Sequence, residues 1–169
     1  MSHWQNDWLY KWIFDRVADS WKELHKKGWF FRWKDAPERF AVVEYASSGS
    51  AEPQGVGPVE RLWFYDERGL RLATDIEKRE YEDNCRDILA AVDDESPLPP
   101  EEGRATLRGM LTPSGDFYRE ASIGFRIAGD RRRLWLSECF GPLYGSGWVY
   151  EVTGEGENAK FRGERVWVS

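Results

Sequence analysis

The sequence predicts an α+β fold, a long N-terminal amphipathic helix packed on a curved antiparallel sheet. Three observations carry this. In the last third of the chain, Phe117, Ala121, Ile123, Phe125 and Ile127 alternate with Tyr118, Glu120, Ser122, Gly124 and Arg126. Period-two alternation marks a strand with one buried face. Near the start, Trp4, Trp8, Leu9, Trp12, Ile13, Val17, Trp21 and Leu24 recur in three- and four-residue steps, the spacing of one helix face. Elsewhere the apolar runs are short and bounded by turn residues, which predicts hairpins in place of parallel crossover units. A partly closed β-barrel is the alternative architecture.

The first helix is expected over Trp4–Lys27. Ser2 and Gln5 have capping-box spacing, and Asp7 adds early negative charge. His25, Lys26 and Lys27 suit the negative pole, and Gly28 ends the helix. Trp29–Trp33 and Arg39–Ala46 then read as a hairpin, followed by a Ser-, Gly- and Pro-rich loop to Pro58. Val59–Tyr65 and Leu70–Ala73 form a second hairpin around Asp66-Glu67-Arg68-Gly69, with glycine where positive φ is wanted. A second helix runs from Asp75 to Val92. Thr74 and Glu77 cap it, and Tyr81, Cys85, Ile88 and Val92 form its apolar stripe. Residues 93–103 are acidic and proline-rich and mark an internal break in what is otherwise one domain over 1–169. A meander of Arg104–Leu111, Phe117–Ala128, Arg132–Phe140, Gly147–Thr153 and Lys160–Val168 closes the chain.

Gly-Ser-Gly-Trp-Val-Tyr-Glu-Val at 145–152 and the closing Arg-Val-Trp-Val-Ser resemble the ends of cystatin-like and nuclear-transport-factor-2-like folds. The likeness covers those last strands, and the order of elements differs from both families. It implies sheet and no function.

Bulk properties narrow the function classes. At 169 residues, folding buries roughly 70% of the unfolded chain's surface. No run approaches the roughly 20 apolar residues of a membrane helix, and the N-terminus lacks a secretory pattern. Two cysteines make no disulfide framework, so a cytoplasmic setting is expected. The net charge of −6 disfavours nucleic acid and points to a basic partner. Ten Trp are the unusual count, and most are expected in the core.

Catalytic signatures are missing from the sequence. It has no nucleophile elbow, P-loop or dinucleotide fingerprint. No metal-ligand spacing surrounds Cys85 or Cys139, and His3 and His25 do not form a relay. No catalytic residue, metal or cofactor is therefore assigned. Arg131-Arg132-Arg133 reads as a solvated turn.

One pattern is less ordinary. Arg119 falls in phase with Phe117 and Ile123, Glu138 with Leu134, Leu136 and Phe140, and Glu44 with Phe40 and Val42. Charges on a buried side must be paired or face water. The expectation is a polar patch inside the sheet formed by Arg119 and Glu138, with Tyr144 and Trp148 at its rim. The functional expectation is a non-catalytic cytoplasmic protein-binding domain of inhibitor, immunity-protein or adaptor type, its partner another protein. The alternative is a pocket in a cupped sheet for a small apolar or aromatic ligand, as a carrier or a His-independent enzyme.

Overall fold

A computed structural model describes residues 3–26, 37–46, 59–83, 120–141 and 144–168. After a short 3-10 turn at His3–Asn6 comes helix α1, Trp8–Leu24. The strands are β1 (Arg39–Tyr45), β2 (Val59–Asp66), β3 (Gly69–Leu72), β4 (Glu120–Ile127), β5 (Arg133–Gly141), β6 (Tyr144–Thr153) and β7 (Lys160–Val168). A second helical stretch, α2, occupies 75–83 within the described residues. The strands form one open sheet in the order β3-β2-β1-β4-β5-β6-β7. The α+β class is therefore right, and the sheet does not close into a barrel.

The sheet departs from a pure meander at one place. β1 lies between β2 and β4, antiparallel to the first and parallel to the second. Its five residues from Phe40 to Glu44 are all buried. A central strand covered on both faces reads as a near-continuous apolar run, and Phe-Ala-Val-Val is one. The hairpin expected between Trp29–Trp33 and β1 involves residues outside the described ones. So do Cys85, the rest of the second helix, the 93–103 break and the first meander strand.

The two sheet faces carry separate cores. On one face α1 lays Leu9, Ile13 and Val17, each at most 1% exposed, over Phe40, Val42, Ile123, Phe125, Leu134 and Leu136. Burying side chains of this size stabilises by about 1.5–3 kcal/mol each before entropy. The opposite face packs Ala41, Val43, Val59, Leu62 and Phe64 with Tyr81 of α2.

Local chemistry sets the element ends. Helix α1 begins later than the Trp4 expected, because the Asp7 carboxylate accepts from Leu9 N at 2.9 Å and caps the helix there. The same carboxylate holds Arg131 Nη2 at 2.6 Å, and Arg131 also lies over the Trp8 ring at 5.5 Å. This corrects the reading of that arginine cluster as only a solvated turn. One of its members clamps the β4–β5 turn to the start of α1. The Thr74–Glu77 capping box is present in both directions, at 3.1 and 3.2 Å. Gly69 takes φ +103 in the β2–β3 turn, as expected of a glycine there. Among the described residues no helix is long and apolar enough to cross a membrane.

Candidate functional site

The α1 face of β5 and β6 carries Glu138 and Trp148, two of the four residues expected to form a polar patch. Strand alternation puts Glu138 on the same face as Leu134 and Leu136. In the register Glu138 stands opposite Ser146 and Leu136 opposite Trp148, so Glu138 and Trp148 share one face of adjacent strands. Tyr144 belongs to β6, with its side chain outside the described set, and Arg119 lies outside the described residues altogether.

The groups facing Glu138 come from α1. Ser20 Oγ donates to Glu138 Oε1 at 3.3 Å. Arg16, one helical turn earlier, lies with its guanidinium 5.5 Å from the Trp12 ring and 5.1 Å from the Tyr150 ring. Burial pushes the Glu138 carboxyl above its ordinary range, and the Arg16 charge and the Ser20 hydrogen bond offset this only in part. Arg16 Nε is itself buried without a hydrogen-bond partner among the described residues.

Across β6 the aromatics continue the row. Trp148 stacks on Tyr150 with centroids 6.1 Å apart, and Arg165 of β7 sits 5.9 Å over the Trp148 ring. The tight fit of this row requires Gly163, since a Cβ there would run into the Tyr150 ring. The sequence therefore places cation, ring, ring and cation side by side, next to a carboxyl that holds its proton unusually well. Tyr150 in this row is buried, and Trp148 and Arg165 are its more exposed members.

A second polar cluster sits where α1 crosses β1 and β2. Tyr10 Oη donates to Glu44 Oε1, Arg61 Nη1 lies 2.6 Å from Glu44 Oε2, and Arg61 Nη1 donates to Tyr10 Oη at 3.0 Å. Glu44 and Tyr10 are buried, at 6% and 5% exposure. Burial and the neighbouring Glu44 carboxylate raise the Tyr10 hydroxyl far above its ordinary pKa. The group ties helix to sheet.

Sequence reasoning missed Arg16, Ser20, Arg61 and Arg165. Arg16 and Ser20 carried a faint signal. They are polar residues spaced one turn apart along α1, following Trp12 at the same interval. No group of three or more His, Cys, Asp or Glu side chains among the described residues could hold a metal ion. Comparisons with protein-family models, curated proteins and solved structures find no match.

Proposed function

We propose that this chain is a non-catalytic cytoplasmic protein-binding domain, of the inhibitor, immunity-protein or adaptor kind, that recognises an extended acidic segment of another protein along β7. The observation that supports it is the state of that strand. β7 runs from Lys160 to Val168 at the end of the sheet, with no described strand on its outer side. Residues 162–166 are all exposed, and Val166 is 47% exposed. A long open edge presents unpaired N–H and C=O groups that an incoming strand can join. Lys160, Arg162 and Arg165 outnumber Glu164 and the Glu151 that stands opposite Arg162 on β6. The edge is thus locally basic on an acidic chain, and an acidic strand complements it. Net charge alone pointed to a basic partner, but the local field at the edge is the one an incoming strand meets.

The pocket reading has less support, because α1 fills the side of the sheet where a pocket was expected. Isolation from the native cell followed by native mass spectrometry tests the proposal. The expected result is a complex with a second protein that is lost on Lys160→Glu with Arg162→Glu, while the melting temperature stays unchanged. A partner that binds this double variant as well as the parent contradicts it, as does a small molecule bound stoichiometrically between α1 and β6.

A further inference from the structure

On the sheet face away from α1, Arg126 of β4 and Trp135 of β5 stand directly opposite each other in the register. Arg126 is only 8% exposed. Its Nε–H and the Trp135 Nε1–H are buried donors without an acceptor among the described residues. The Arg126 guanidinium instead meets the Tyr45 ring, 6.0 Å from its centroid. Tyr45 reaches Gly124 on this face, where a Cβ would come within 2.8 Å of Tyr45 Cε2 and 3.0 Å of Ser137 Oγ. An aromatic ring cannot take the in-plane hydrogen bonds of a guanidinium edge.

A buried guanidinium without an anion is costly to keep, and two neighbouring orphaned donors are a further cost. One acceptor group reaching both relieves both. Arg133, on the same face, stands opposite Glu151 in the register, and the charge to be met beside Trp135 is that of Arg126. A planar, singly charged group with two acceptor oxygens matches a guanidinium edge. Trp135 and Ser137 beside it are half-buried.

We propose that Arg126 and Trp135 form a binding site for a small carboxylate. One carboxylate oxygen accepts from the Arg126 edge and the other is shared with the Trp135 indole. The site lies on β4 and β5, away from the β7 edge, and stands independently of the function proposed above.

The test is a titration of the full chain with sodium acetate against sodium chloride at matched ionic strength, with inorganic phosphate as a third arm. Two signals are read: the melting temperature, and the Trp135 indole N–H resonance, assigned through Trp135→Phe. In the parent protein acetate gives a saturable indole shift and a saturable gain in melting temperature. Arg126→Met melts higher than the parent without acetate, because the unpaired buried charge is gone, and gains nothing from acetate. Trp135→Phe raises the half-saturating acetate concentration about tenfold. This second variant decides the matter if Arg126→Met does not fold. A response that does not saturate in the parent, or that is equal in the parent and the variants, overturns the proposal. Tighter binding of phosphate than of acetate overturns the carboxylate assignment.

Discussion

Glu44 of β1 and Arg61 of β2 are direct cross-strand partners, and the Arg61 guanidinium sits 2.6 Å from the carboxylate of this buried glutamate. The apolar run of β1 has made this pair necessary. Burial of Phe40 and Val42 on the α1 face carries Glu44 in with them, and the charge must be met there. Arg61→Ala leaves Glu44 buried with only the Tyr10 hydroxyl, and is expected to destabilise by about 3 kcal/mol in denaturant unfolding. Replacing both, as Glu44→Leu with Arg61→Leu, is expected to lose less than the sum of the single changes. A double-mutant cycle measures the difference.

Glu138 reports the opposite balance. Its ordinary value is 4.5, and the folded protein holds it higher, chiefly through burial. A carboxyl with a raised folded pKa opposes folding once it is ionised. The penalty appears as pH rises from 4.5 through the folded value, and it persists above that. Glu138→Gln is therefore expected to raise stability at pH 7, since the amide can still accept from Ser20. The gain should vanish below the ordinary carboxylate range. Melting curves of parent and variant across pH give the comparison.

The α2 capping box titrates the other way. Arg71 donates to both oxygens of Glu77 at 2.8 and 3.1 Å, and this together with the Thr74 N–H holds the Glu77 carboxyl down to about 2. Its contribution is full above the ordinary 4.5 and is lost as pH falls from there toward about 2. The groups are solvent-exposed, so the ion pair itself is worth well under about 1 kcal/mol. Thr74→Ala removes the cap and is expected to cost about 1 kcal/mol by chemical denaturation.

Trp12 stacks on Phe161 at 4.1 Å with an interplanar angle of 7° and meets Tyr150 edge-on at 4.9 Å. Trp12→Ala is expected to destabilise by about 3 kcal/mol, because half-buried stacked area is lost together with the support under Arg16. Ile76 is 69% exposed, and Ile76→Ala is expected to stay within about 0.5 kcal/mol of the parent. Equilibrium unfolding of both variants checks the contrast.

The helix face, the Thr74–Glu77 cap, the Gly69 turn and the phase of Glu44 and Glu138 were legible because each is set by neighbours within one turn or one strand. The place of β1 was not. Its parallel pairing with β4 joins segments far apart in sequence, and a local reading defaults to a hairpin. The doubly buried run Phe40–Val43 was the available signal. The start of α1 was misplaced for a comparable reason. Asp7 serves the helix and Arg131 together, and no spacing within the helix encodes that second contact. The groups around Glu138 could not be read either, because Arg16 and Ser20 meet it only once α1 is docked on β5.

The central claim is a sheet with one face filled by α1 and, among the described residues, an open edge at β7. Native-state amide hydrogen exchange on the free protein tests it most directly. Amides of α1, β4 and β5 are expected to exchange only through global opening, while every second amide of β7, directed away from β6, exchanges as fast as an unprotected loop. Uniform protection along β7, equal to that of β5, would contradict the open edge, and fast exchange throughout α1 would contradict its place in the core.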